Sequence, residues 1–328
     1  MFDRLFAHVD YVTDPDSSPD PIGFLLQAIG QPGSLLLIGI GLVAILGAVL
    51  VWARWRPMER ARMLLIERAL GYREYLPWIV RLSVGLVLIG SGISRVRFLP
   101  TIESGGLFAL LLTGTGFLLL LGFAVRPAAL VALGAYVVTF ITNPELVMML
   151  DVAGALAVAA ILGPGRPSLD DLLRAAFPRG PGARAATENL GRGGYDDTVP
   201  LVVRLGLGGA FVASGIVDKL LIYDQALAAV DRYELTSVVP VAPELWVLGA
   251  ILIETALGVA IIFGVFTRFS AVVGFAVLTL ALFALPDDPV IAHVGLFGLS
   301  SVLVILGGGR WSLDRAFLAP LGERLRRT

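Results

Sequence analysis

Apolar segments of about 18–22 residues recur along this chain from residue 34 to residue 307. Each is long enough to cross the ~30 Å hydrocarbon core of a bilayer as a helix. A very apolar soluble protein breaks its hydrophobic runs after about 10–14 residues. These runs do not break there. Inside lipid every backbone N–H and C=O must be satisfied within the chain, which leaves helices as the spanning element for segments of this length. Composition agrees: 57% of residues are hydrophobic and 16% charged, with a mean hydropathy of +0.85, whereas soluble domains hold about a quarter charged residues. The sequence predicts an all-α polytopic membrane protein with about nine transmembrane helices. They lie near 34–53, 77–95, 105–123, 127–143, 146–163, 199–218, 244–265, 269–286 and 289–307.

The other segments order themselves around these spans. Residues 1–33 read as a polar extracytoplasmic segment, irregular through the acidic, proline-broken run 11–21, with no signal-peptide h-region. Residues 34–75 hold the first span and an Arg/Glu-rich stretch, 57–75, that reads as an interfacial amphipathic helix. A Gly/Pro-rich linker occupies 176–198, expected in the cytoplasm, and a basic cytoplasmic tail occupies 319–328. Arginine placement sets the orientation. With nine spans and the N-terminus outside, the inner side holds Arg54, Arg56, Arg60, Arg62, Arg68, Arg73, Arg126, Arg268 and the linker and tail arginines. The expectation is a multi-pass cell-membrane protein, N-terminus outside and C-terminus cytoplasmic.

The second half repeats the first. Arg81, Gly85, Ser91 and Gly92 match Arg204, Gly208, Ser214 and Gly215 at an offset of 123. Gly116, Gly122 and Arg126 match Gly258, Gly264 and Arg268 at an offset of 142. G-P-G-R-P-S-L-D, 163–170, matches G-G-G-R-W-S-L-D, 307–314, at an offset of 144. The jump in offset marks an insertion after Lys219 and makes the outer loop 220–243, in which 226–233 reads as a short surface helix that covers the end of this half or docks a partner. The reading is one N-terminal helix plus two parallel four-helix repeats, 76–175 and 199–318, related by an axis along the membrane normal.

These motifs resemble the DoxX/DoxD-like family, whose unit is a four-helix membrane domain. The matching residues are R-L-x-L-G…S-G-I-V-D-K-L, then E-T-A-L-G-V-A-I-I-F-G-V-F-T-R at 254–268, then the duplicated G-x-G-R-x-S-L-D. The first repeat departs from the pattern, with Leu112 in place of Glu254 and Val96 in place of Lys219. The resemblance implies a loose functional class. Some members are subunits of membrane-bound oxidoreductases, thiosulfate:quinone oxidoreductase among them, and others associate with oxidative-stress enzymes.

Few residues carry chemistry. The chain has no cysteine, which removes disulfides, thiolate nucleophiles and cysteine-ligated clusters. Its net charge of −1 offers no basic surface for nucleic acid. Glu254 sits mid-span, where a carboxylate is costly unless paired or neutral. It reads either as a proton carrier, quinone partner or ion ligand, or as a structural interhelix hydrogen bond. Lys219, the chain's one lysine, reads as its catalytic companion or as a snorkelling interface residue. By α-helical spacing Arg204, Gly208, Gly215 and Lys219 share one face, and Arg204 lies about 22 Å from Lys219. Arg81 and Arg204 are expected as anchors on carbonyls or lipid phosphate, and Arg126 and Arg268 as residues of tight inner turns. Asp151, where the second half has Gly295, is expected in a solvated or capping role. His293 with Asp287 and Asp288 fits no metal motif, and His8 is weaker still, so no metal site is expected. The two S-L-D units read as helix N-caps.

No cofactor motif is evident, and a quinone is the candidate the resemblance leaves. The partners expected are the bilayer and a soluble or membrane redox subunit. The leading expectation is a subunit or accessory of a membrane redox system, at most the membrane part of a quinone-linked oxidoreductase. Its alternatives are a proton- or ion-coupled small-molecule transporter and a non-catalytic scaffold.

Overall fold

The computed structural model describes residues 20–31, 33–55, 59–177, 195–285 and 290–318. The linker and tail expectations fall largely or wholly outside these residues, as do His8, Asp287 and Asp288. The described chain is helical, in the order α1 (Pro21–Gly30), α2 (Ser34–Trp55), α3 (Glu59–Leu70), α4 (Leu76–Ile93), α5 (Gly106–Leu121), α6 (Val125–Thr142), α7 (Leu150–Leu162), α8 (Leu169–Ala176), α9 (Tyr195–Ala213), α10 (Tyr223–Arg232), α11 (Leu235–Val238), α12 (Pro243–Phe263), α13 (Thr267–Ala284) and α14 (Val290–Leu306). A π-helical stretch, Ser214–Leu221, continues α9. The departure from all-α among the described residues is a two-stranded antiparallel ribbon, β1 (Val96–Arg97) and β2 (Leu99–Glu103), pairing Val96 with Glu103 and Arg97 with Leu99.

Six helices are long and apolar enough to cross a membrane unaided: Arg73–Ile93, Val125–Thr142, Pro144–Leu162, Asp197–Leu221, Pro243–Phe263 and Thr267–Ala284. The count of nine is not reached on this measure. Helices α5 and α14 have 16 and 17 residues, about 24–26 Å at 1.5 Å per residue, slightly under the hydrocarbon thickness. The first expected span, α2, follows α1 across a bend of 86°. It packs on α1 and leaves Leu35, Leu36, Ile40, Leu42, Val43 and Leu46 exposed, as a helix in lipid does. Around the bundle Leu107, Leu110, Ile141, Phe269, Leu280 and Phe283 also face outward. The chain is a multi-pass membrane protein.

The bundle is two sets of four helices that make corresponding contacts. Helix α4 packs on α5, and α9 on α12. Across the middle, α9 packs on α7 and α4 on α14. Glycines set the intimacy of these crossings by letting backbones approach. A methyl on Gly208 would lie 2.7 Å from Gly258 O, and one on Gly85 would lie 3.0 Å from Gly116 O. At the seam between the sets, a methyl on Gly154 of α7 would lie 3.0 Å from Gly206 Cα of α9.

Each set closes in the same way at the end that holds Gly122 or Gly264, termed inner for the orientation the arginines predict, with the opposite end termed outer. Helices α5 and α12 end on left-handed glycines, Gly122 (φ 69°) and Gly264 (φ 68°). There Phe123 N–H donates to Leu118 O at 2.9 Å, and Val265 N–H to Ala260 O at 2.8 Å, a Schellman closure. The remaining carbonyls are taken by a buried arginine from the first helix of the set. Arg81, 1% exposed, donates to Leu119 O at 3.3 Å, Pro167 O at 2.6 Å and Pro77 O at 3.3 Å. Arg204, 3% exposed, donates to Ile261 O at 3.1 Å, Ile262 O at 2.6 Å, Gly308 O at 2.9 Å and Trp311 O at 2.9 Å. Carbonyls, not lipid phosphates, are what these two anchors hold. Their charge also complements the negative end of α5 or α12. Arg268 likewise caps α14 through Val304 O at 3.0 Å and Ile305 O at 3.1 Å, while Arg126 lies against Gly163, just past α7.

The S-L-D units do more than expected. Ser168 caps α8 by accepting from Asp171 N–H at 3.1 Å. The aspartates reach a different helix. Asp170 accepts from Ala124 N–H at 3.2 Å, at the start of α6. Asp314 accepts from Phe266 N–H at 2.6 Å and from Thr267 N–H at 2.8 Å, at the start of α13. In return Asp170 N–H donates to Gly122 O at 3.1 Å, and Asp314 N–H to Gly264 O at 2.9 Å.

The outer ends differ between the sets. In the first, Phe98, Leu99 and Ile102 of the ribbon are buried, with Phe98 edge-on to Tyr136 at 5.4 Å. In the second, the insertion folds as α10 and α11 and covers the end of α12, and α1 lies on top. Phe24 of α1 stacks on Tyr223 at 4.4 Å, over Val230, Val247, Leu248 and Ile251. Helix α1 is not anticipated in a segment read as polar. Asp20 caps it by accepting from Gly23 N–H at 2.9 Å, and Pro21 occupies its first position.

Two predictions follow from these closures. Arg204→Leu withdraws a donor from four carbonyls and should cost about 2–4 kcal/mol, with Arg204→Lys recovering only part because an ammonium cannot span the fork. Thermal unfolding in detergent reads both. Gly258→Ala places a methyl 2.6 Å from Gly208 O and should cost about 1–3 kcal/mol. Gly134→Ala, with nothing within 4 Å, should leave the melting temperature unchanged or slightly raised.

Candidate functional site

The charged cluster in the outer half of the second set is built by a change in helical winding. Helix α9 is α-helical to Ala213 and then π-helical through Leu221. In an α-helix, residues five apart are about 140° apart around the axis. The i→i+5 pattern of a π-helix winds more residues per turn and brings them toward one face. Lys219 therefore lies over Ser214, and its ammonium donates to Ser214 Oγ at 3.0 Å. The same winding offers Asp218, whose Oδ2 accepts from Lys219 at 3.0 Å.

The third partner comes from α12. Gly215 has no side chain, and a methyl there would lie 2.5 Å from Thr255 Oγ1 and 3.1 Å from Ile251 O. The two helices touch, and beside this contact Glu254 Oε2 stands 3.0 Å from Lys219 Nζ, an ion pair. The Lys219, Asp218 and Glu254 side chains are 21%, 26% and 16% exposed. This shields the charges enough to strengthen their pairing.

The structure thus brings Lys219 and Glu254 together. It adds Ser214 and Asp218, which sequence reasoning did not single out as site residues. The available signal was an Asp-Lys dipeptide inside an otherwise apolar helix. Arg81, Arg204, Arg126 and Arg268 lie at the inner turns and take no part. In the first set, the positions matching Asp218, Lys219 and Glu254 are Arg95, Val96 and Leu112, and Leu112 is fully buried. An apolar groove lined by Val272, Phe275, Ala276, Ser301, Val304 and Ile305 lies between α13 and α14. It sits toward the inner end, where Arg268 caps α14, and does not meet the cluster.

Asp151 corrects the expectation of a solvated role. It is 2% exposed at the start of α7, inside the protein rather than at an aqueous edge. His293 is also buried, at 4% exposure.

The cluster holds two carboxylates and one ammonium, an excess of one negative charge when all three are ionised. Removing the cation alone should be worse than removing the pair, because it leaves two acids facing each other in a shielded site. Lys219→Met should lower stability by about 2–4 kcal/mol, and Lys219→Met with Glu254→Gln by distinctly less. A double-mutant cycle on thermal unfolding in detergent measures the difference, and strict additivity would show that the pair is not coupled.

Comparison with known proteins adds one match. No curated protein and no solved structure matches the chain. Residues 199–287, which hold most of α9, then α10 to α13, and the whole charged cluster, match the family model described as DoxX. This part of the chain is similar to the DoxX family, within a chain whose apolar helices make it a multi-pass membrane protein.

Proposed function

We propose that this protein is the membrane subunit or accessory of a quinone-linked redox system, with Lys219, Glu254 and Asp218 as its polar centre. The observation that carries this reading is the Lys219–Glu254 contact of 3.0 Å inside an otherwise apolar pair of helices. Lys219 has three N–H groups. Two serve Ser214 and Asp218, and the third is available to the Glu254 side at 3.0 Å. A neutral carbonyl oxygen entering there would compete with Glu254 for that donor, and Glu254 is placed to hold or pass the proton that reduction of such a carbonyl consumes. The excess carboxylate disfavours an anionic substrate at this position and favours a neutral acceptor. A bound quinone supplies the two-electron chemistry, and a partner subunit supplies the electrons.

The same proposal covers organisation. The matched contacts of Arg81 and Arg204, of Gly85 and Gly208, and of Asp170 and Asp314 support a tandem repeat with a single functional centre in the second copy. Helix α1 and the 220–243 insertion share one end of the bundle, which supports placing both outside the cell and the C-terminus in the cytoplasm.

A charged hydrogen bond from Lys219 to a carbonyl is worth about 1.5–3 kcal/mol, roughly 10–100-fold in affinity. Purified protein in nanodiscs, titrated with a short-chain quinone, should bind it, and Lys219→Met should weaken binding by that factor. Glu254→Gln should retain binding but slow quinone-dependent turnover of native membranes. Unchanged binding and turnover in both variants would eliminate the reading. A proton- or cation-coupled carrier is the second reading, favoured by the negative excess. Flux into proteoliposomes that needs Glu254 and a pH gradient, without quinone binding, would select it.

A further inference from the structure

Asp151 is the most deeply buried acid among the described residues, at 2% exposure, and the function proposed above makes no use of it. It opens α7, where α7 meets α14 of the other helix set. Its Oδ2 is sealed from solvent and takes no hydrogen bond. That atom is aimed at Gly295 of α14, where a methyl would lie 2.5 Å away. The glycine leaves the space that the carboxyl group fills. Asp151 and Gly295 are matched positions of the two halves at an offset of 144, so one acid, not two, faces this junction.

Among the described residues, no lysine or arginine is found in an ion pair with Asp151. The nearest donors are the backbone N–H groups of Asp151 and Val152. Tyr136 faces it from α6, but its hydroxyl donates to Leu146 O at 2.8 Å. From α4, Val87 lies beside Gly295. From α9, Gly206 and Gly209 pack on the same end of α7 and carry no charge. His293 is two positions before Gly295, about 160° round α14 from it. Arg81 and Arg204 are spent on carbonyls at the inner turns. Glu145, in the turn before α7, is exposed. An ionised carboxylate in such a place loses its hydration and gains no cation in return, whereas a carboxylic acid loses far less.

We infer that Asp151 is a proton-binding site, occupied as the neutral acid at the junction of the two helix sets, with proton release tied to separation of α7 from α14. The site is independent of the Lys219–Glu254 centre and takes a proton as its ligand. Closed packing holds the proton, and any motion that wets the junction frees it.

Infrared spectroscopy of the purified protein in lipid vesicles tests this. At neutral pH the spectrum should contain a carboxylic-acid carbonyl stretch that shifts when aspartate alone is isotopically labelled. Asp151→Asn should remove the band and Glu254→Gln should leave it. After transfer to heavy water the band should shift slowly. If Asp151→Asn does not fold, the labelled wild-type band carries the test by itself. Absence of an aspartate-sensitive acid band at neutral pH overturns the proposal. So does loss of the band on adding sodium at constant ionic strength, which would make the site a cation site. Immediate exchange in heavy water overturns the link to helix separation.

Discussion

A guanidinium buried on the carbonyl end of a neighbouring helix closes each half of this bundle. A bilayer offers no water to satisfy the last carbonyls of a helix, so a spanning helix that turns inside the protein needs donors brought to it. Arg204 supplies several from one side chain, and its planar fork suits the divergent carbonyls of α12 and of the segment after α14. The glycine turn, the Asp314 cap on α13 and the return bond from Asp314 N–H to Gly264 O then complete the accounting. The polar chain ends are thereby settled at the inner face. The outer ends are free to differ, with a ribbon on one half and two helices plus α1 on the other.

That freedom explains where chemistry is found. The outer half of the first set is plugged by Leu112 and covered by Phe98, and it has Arg95, Val96 and Leu112 where the second set has Asp218, Lys219 and Glu254. The second set keeps the same glycine contact at Gly215 but departs from α-helical winding directly afterwards. The departure costs regular hydrogen bonding and gains a face on which Ser214 and Lys219 coincide. Two helix sets with corresponding contacts and one altered strut are a simple way to obtain a single polar site without disturbing the packing that both sets share.

Much of this was legible in the sequence. Length and hydropathy marked the spans, and the ordered recurrence of arginines, glycines and S-L-D marked the two helix sets. The Lys219–Glu254 contact was foreseeable because each interrupts an apolar run of consecutive spans, and lipid drives opposite charges together. Other features depend on contacts that local periodicity does not encode. Asp170 and Asp314 cap helices more than 40 residues away in the chain. Ser214 joins the cluster only because the helix winds i→i+5 there, and an α-helical wheel puts it on the wrong side. Helix α1 is a short apolar run behind an acidic, proline-rich stretch, and its signal was the Asp20-Pro21 pair. The burial of Asp151 depends on a glycine contributed by the other half.

The seam where Gly154 meets Gly206 also bears on how the protein is made. Ribosomal synthesis completes α4 to α7 before α9 exists. Until α9 and then α14 enter the bilayer, the small-residue face of α7 and the side of the Asp151 carboxyl that meets Gly295 lack their protein neighbours. The first half is therefore an unfinished object during translation, with its least lipid-compatible surface waiting on a helix encoded beyond the inner linker. Assembly of the two halves is the step that hides that surface, and a translocon or chaperone that shields it in the interval would act on α7 before any other helix.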